Sequence, residues 1–352
     1  MAKRFIARAL TVGLLLVASW SAVPGKEARD DRGKADPPAV EPVAKCCDEK
    51  ASDQDDMCLW VNPKDPARST VIASDKAADR LFVYDLAGRT LQAIETPSPG
   101  NIDLRCGFPL GGRKVDILAF NQRAGPRRVV VYAVDPETRR LARVDNGRID
   151  TGPNYGGTLY RSPKTGKVYF VTTSMDGTCE QYELADDGAG KVAGTKVRTF
   201  QTGFSEAAVG DDARGRIYVG EEQKGVWEVG GEPDDTTPPR LVVRLGENGL
   251  HGDVEGLAIH PNLGGGPALV VSNQGRNNFK VYRLGGDFRL LGTFTVRGAR
   301  DTDGLDLTAT DLGPPFAKGL FACHTDDIPR PVLLVPWDRV AEALGTPVRS
   351  QP

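Results

Sequence analysis

Apolar residues in this chain come in runs of roughly five, either unbroken or alternating with polar ones, and polar turns separate them. Helical periodicity is nearly absent; only "WDRVAEAL" near the C-terminus predicts a helical turn or two. One theme recurs in degenerate form: a strand of β-branched residues, a short polar turn, then a strand ending in an aromatic. The copies are "STVIASDKAADRLFVYDLAG", "KVDILAFNQRAGPRRVVVYAVD", "GKVYFVTTSMDGTCEQYEL", "GRIYVGEEQKGVWEVG", "PALVVSNQGRNNFKVYRLGG" and "KGLFACHTDDIPRPVLLVPW". Their marker aromatics are Tyr84, Tyr132, Tyr182, Trp227, Tyr282 and Trp337. The separations of roughly 45–55 residues are those of propeller blades and favour a propeller over a pair of β-sandwiches. The pattern therefore predicts an all-β chain: a six-bladed β-propeller of four-stranded antiparallel sheets over residues 52–345, with a tail at 346–352. A propeller gathers ligand sites at one mouth. The loops expected there, placed after the first strand of each blade, are "SDK" (74–76), "NQR" (121–123), "SMDG" (174–177), "GEEQ" (220–223) and "NQGRNN" (273–278).

The ends read differently. Residues 1–25 carry a basic start (Lys3, Arg4, Arg8), an apolar run Ala9–Ala18 and then small residues, the pattern of a signal peptide cleaved within 21–25. No cysteine follows that run, which argues against a lipid anchor. No similar run occurs later, so no membrane association is expected after cleavage. Residues 26–51 are charged and contain proline, and predict a disordered linker. The expected location is secreted or periplasmic.

Of 352 residues, 39% are hydrophobic and 26% charged, which suits a sizeable core. The net charge of −2 gives no reason to expect a nucleic-acid partner. Six cysteines lack any CxxC pair, excluding zinc-ribbon and thioredoxin readings. They read as small buried hydrophobes, with disulfide pairing left open.

The stretch "RDTDGLDLTATDLG" (300–313) holds Asp301, Asp303, Asp306 and Asp311. So many carboxylates point either to a metal site or to a set of acidic turns. It is not an EF-hand, because Gly304 stands at the fourth position and no Glu closes the loop. Histidine is scarce (His251, His260, His324), so the available ligands are hard oxygens, which suit calcium better than zinc.

Beyond these patterns, the chain resembles the β-propeller phytases, calcium-dependent phosphatases that act on inositol hexakisphosphate. The resemblance runs over residues 52–341. It is carried by "DQDDMCLWVNPKDP", "NIDLRCGFPLGGRKVDI", "LYRSPKTGKVYFVTT", "EQYEL", "DDARGRIYVGEEQKGVWEVGGEPD", "GDVEGLAI", "DTDGLDLTATDLGP" and "LLVPWDRVA". It implies a six-bladed propeller, several calcium ions and two phosphate sites at one mouth. By resemblance the metal ligands are Asp55, Asp56, Tyr155, Glu206, Glu222, Asp253, Glu255 and Asp303. Glu206, Asp253 and Glu255 would be central to catalysis, and Lys76 and Arg123 would hold phosphate. Clustered calcium reverses the repulsion between carboxylates and a phosphate ester and activates water for in-line attack. The implied partner is an inositol phosphate, and the expected state is a monomer.

Several positions depart from the family pattern. Ala77 stands where a second lysine is usual, Met175 where the "GKDG"-like turn has Lys, and Met57 where a Pro follows the acidic pair. "VRGAR" (with Arg297 and Gly298) replaces an Asp-Gly pair, and "CHTDD" replaces Gln-Asp-Gly. A propeller that binds calcium and an anionic ligand without efficient turnover is the alternative reading; a lactonase-type hydrolase on the same architecture would use one metal instead of a cluster. There is no Cys-x5-Arg loop, Arg-His-Gly, GxSxG elbow or Walker loop, which excludes those phosphatase and hydrolase chemistries.

Overall fold

The computed structural model describes residues 36–346, and in it the protein is a six-bladed β-propeller. The inner strands of the six blades are Gln54–Trp60, Pro99–Leu110, Gly157–Arg161, Ser205–Asp211, Val254–His260 and Leu305–Thr308. They touch one another in a closed ring, the sixth returning to the first. Blade one continues outward through Thr70–Asp75, Arg80–Asp85 and Thr90–Glu95, and blades two to five repeat this antiparallel meander.

Six apolar clusters hold the ring together, each filling the gap between two neighbouring blades. In blade one, Val71 and Ala73 face blade six while Ile72 faces blade two. Both faces of every sheet are thus covered, which is why strands such as "LFVY" and "VVVY" read as unbroken apolar runs. The marker aromatics Tyr84, Tyr132, Tyr182, Trp227 and Tyr282 all lie on third strands. Trp337 opens the helix Trp337–Ala343 just after the third strand of blade six and stacks on His260 at 4.5 Å.

Two sequence expectations change. Residues 26–51 do not behave as a linker throughout: Ala44–Cys46 pairs antiparallel with Val332–Pro336 as the outer strand of blade six. Ala39–Val40 pairs parallel with the outer strand of blade five, Leu290–Val296. A propeller must close its last blade, and here the N-terminal segment covers an edge that would otherwise expose unpaired backbone groups. The expected signal peptide (1–25), residues 26–35 and all but the first residue of the tail lie outside the described residues. The second change concerns the loops. "SDK", "NQR" and their counterparts follow the second strand of each blade, because an inner strand precedes each of the apolar runs that mark the blades. The question of disulfides resolves to six free thiols, with Cys46, Cys58, Cys179 and Cys323 buried.

Candidate active site at the propeller mouth

Antiparallel pairing sets the start of each inner strand beside the end of the second strand, as in Gln54 opposite Asp75, Pro99 opposite Gln122 and Ser205 opposite Glu221. The inner-strand starts and the second-strand loops therefore form one mouth. It collects Asp55 and Lys76 from blade one, Asn101 and Arg123 from blade two, and Tyr155 from blade three. Glu206 and Glu222 come from blade four, Asp253 and Glu255 from blade five, and Asp303 and His324 from blade six. Gly156 has a steric reason to be glycine: a Cβ there would collide with the Glu206 carbonyl. That close approach places Tyr155 beside Glu206, with which its hydroxyl hydrogen-bonds.

Glu206, Glu222 and Glu255 are all buried, and each offers a carboxylate oxygen within 4.8 Å of the others. Glu222 Oε1 and Glu255 Oε2 have no hydrogen-bond partner. Burial, then Glu206 and Glu222, push the Glu255 carboxyl up to about 10. Burial, then Asp253 and Glu206, push Glu222 up to about 7. Glu206 is also raised by burial, although Arg123 opposes the shift. Such a set is unfavourable as three bare anions and leaves acceptors unsatisfied as three acids.

Cations line one side. Arg123 Nη2 donates to Glu206, to Asp55 Oδ2 at 3.2 Å and to Asn101 Oδ1 at 3.0 Å. Lys76 Nζ donates to Asp55 Oδ1 at 2.5 Å. Burial pushes Asp55 up, but Arg123 and Lys76 outweigh it and hold its carboxyl below the usual range. Asp303 lies beside Asp55; burial and that neighbour push it up to about 9. Gln274 donates to Asp303 Oδ1 at 2.5 Å, and the Asp303 N–H donates to His324 Nδ1 at 3.1 Å. A second group, Asp53, His324 and Asp326, sits nearby, but Arg330 already pairs with both aspartates at 3.2 and 2.7 Å.

The structure thus brings Asp55, Tyr155, Glu206, Glu222, Asp253, Glu255, Asp303, Lys76 and Arg123 to one mouth. Asp56 is different. It turns into the central channel, where its Oδ2 accepts the Ile102 N–H at 3.0 Å, so the structure does not bring it into the glutamate cluster. Asp103 and Asp306 act in the same way, accepting the N–H groups of Leu159 at 2.9 Å and Leu59 at 2.8 Å. Each of these three carboxylates ties its inner strand to the next blade. The acidic stretch 300–313 accordingly divides its work: Asp303 belongs to the mouth, Asp306 to the blade contacts, and Asp311 caps a turn through the Gly313 N–H at 2.8 Å.

Sequence reasoning did not select Asn101, Gln274 or His324. Asn101 stood in "NIDLRCGF" and Gln274 in "NQGRNN", both already noted as mouth or resemblance segments. His324 stood among the three scarce histidines and in the "CHTDD" departure, without a site role. Its ring is fully buried and its Nε2 has no partner.

The orphaned oxygens and raised carboxyls make the Glu206–Glu222–Glu255 cluster fit a hard cation, which takes oxygen ligands and restores the missing charge. Fold and site together define a six-bladed propeller whose mouth sets a buried carboxylate cluster beside the basic side chains of Arg123 and Lys76. The phytase family model matches residues 4–349, and the chain belongs to that family. It is 34% identical over 310 residues to the 3-phytase of Bacillus subtilis (strain 168), covering 83% of this chain and 81% of that protein. Among solved structures, a calcium-binding protein, regucalcin, from Agrobacterium tumefaciens superposes with a TM-score of 0.52 at 12% identity. That match covers 85% of this chain and 96% of the other, and shows a shared fold.

Proposed function

We propose that the protein is an exported, monomeric, calcium-dependent phosphomonoesterase that hydrolyses inositol hexakisphosphate. The observation that carries this reading is the buried Glu206–Glu222–Glu255 cluster, with its orphaned oxygens, next to Arg123 and Lys76 in a chain of the phytase family. Export is supported by the basic and apolar pattern of residues 1–25.

Glu206, Glu222 and Glu255 would hold calcium, with the Tyr155 hydroxyl beside Glu206 and Asp55, Asp253 and Asp303 at the same mouth as further oxygen donors. Bound calcium supplies positive charge for the phosphoryl oxygens and for activation of the attacking water. The chain's own work is positioning. Arg123 presents a planar, permanently charged guanidinium, braced by Asn101 and lying 4.9 Å from the Tyr155 ring centroid. Lys76 adds a point charge. Both now rest on Asp55, so a phosphate entering the mouth exchanges one anionic partner for another.

The test is inorganic phosphate release from inositol hexakisphosphate by chelator-treated protein as calcium is restored. Calcium-dependent release is expected. Calcium binding without release would favour the non-hydrolytic alternative, and neither would remove the proposal.

A further inference from the structure

Five large hydrophobic residues are exposed among the described residues, and three of them stand on mouth loops: Met175 (62% exposed), Phe204 (36%) and Ile328 (90%). Met175 and Phe204 belong together. The Ser205 N–H donates to the Ser174 carbonyl at 3.2 Å and the Thr202 N–H to the Gly177 carbonyl at 2.9 Å, so their loops run side by side. Phe204 is also tied to the glutamate cluster, because its carbonyl accepts the Glu222 N–H at 3.0 Å. Its ring stacks on Tyr155 with centroids 5.6 Å apart and planes 9° from parallel. Tyr155 in turn reaches Glu206 through its hydroxyl and Arg123 across its ring. The mouth therefore grades from guanidinium and carboxylates, through Tyr155, to an apolar rim at Phe204 and Met175.

That rim is a poor place for more phosphate. The loop 174–177 has no Lys or Arg, and its charged residue is Asp176. The segment 202–207 likewise has no cation. A flat apolar group fits it better: Phe204 offers a ring for stacking, and Met175 a flexible thioether that adapts to an aromatic edge. We propose that Phe204 and Met175 form a leaving-group subsite that favours phosphate monoesters of planar aromatic alcohols. The inference rests on the phosphomonoesterase reading and adds to it a class of substrate. In the reaction, water oxygen bonds to phosphorus, the P–O bond to the aryl oxygen breaks, and the departing aryl oxygen takes up a proton, giving orthophosphate and a phenol.

The experiment has two arms on the full chain in calcium buffer. Calorimetry compares the Kd of phenylphosphonate with that of methylphosphonate, which needs no turnover. Phosphate release is measured on 1-naphthyl phosphate, glycerol phosphate and inositol hexakisphosphate. Phenylphosphonate should bind about tenfold more tightly. Met175→Ser and Phe204→Ser should bring that ratio towards one and lower kcat/KM for naphthyl phosphate relative to glycerol phosphate, mainly through KM. Met175 is well exposed, so its variant keeps the test readable even where Phe204→Ser disturbs the fold. Equal affinity for the two phosphonates in the native protein, or ratios unchanged in folded Met175→Ser, would overturn the inference. Release from none of the three esters would overturn the phosphomonoesterase reading, while the calorimetric ratio still judged the subsite.

Discussion

Glu255→Gln separates a metal-binding role from a structural one. At 4.8 Å and an effective dielectric constant near 20, two carboxylates repel by about 3.5 kcal/mol. Three of them cannot all ionise without a cation, and Glu255, pushed up to about 10, keeps its proton at neutral pH. Glutamine imitates that protonated form, and Glu255 Oε2 makes no hydrogen bond that would be lost. Without calcium the variant should therefore melt close to the parent, because the swap keeps the shape and neutral state of the side chain. With calcium the two should part. A ligand at a hundredfold excess over its Kd stabilises by about 2.7 kcal/mol. For a domain of this size that is a rise of roughly 5 °C in Tm. The variant lacks a charged ligand and should lose most of that rise. The assay is a pair of melts at pH 7, in chelator and in millimolar calcium. A full calcium shift in Glu255→Gln would refute the reasoning; a large loss of stability in chelator would show that the carboxyl has a structural role.

The remaining predictions use other parts of the site. Glu222, Asp303 and Glu255 have folded pKa values of about 7, 9 and 10, above the unfolded range near 4. The folded state thus holds more protons, so the metal-free protein should lose stability as pH rises from about 4 towards 10, a trend read from melts in chelator. Glu206→Gln should abolish turnover and weaken calcium binding by calorimetry; an active variant would show that the central ligand is misassigned. Met175→Lys should raise kcat/KM on inositol hexakisphosphate about tenfold to a hundredfold, the worth of one charge-assisted hydrogen bond, and unchanged kinetics would mean that the position does not face substrate phosphate. A chain beginning at Ser52 should melt lower and aggregate, because blade six loses its outer strand; a Tm equal to the parent's would deny the closing role of Ala44–Cys46.

The blades were legible because each packs on both faces, so their second and third strands print apolar runs and a marker aromatic at blade spacing. The inner strands were not, since they face a narrow channel and carry Asp56, Asp103 and Asp306 where a core strand would carry aliphatics. The closing strand was hidden for another reason. Ala44–Cys46 is too short for any periodicity, and it forms through a partner nearly 290 positions away. Of the mouth residues, the acids and Arg123 came from resemblance, and the fold explains them by converging five blades on one point. Asp56 looked like its neighbour Asp55 in sequence, but only the structure separates a residue facing cations from one hydrogen-bonded to the next blade. The apolar rim at Phe204 could not be read from sequence, because exposure depends on how a loop within blade three lies against the connection from blade three to blade four.

A crystal structure of the protein grown with calcium would test the central claim most directly. The account predicts an ion bound by carboxylate oxygens of Glu206, Glu222 and Glu255 at distances of about 2.3–2.6 Å. A calcium-activated enzyme whose ions lie elsewhere, leaving these three glutamates without metal, would contradict it.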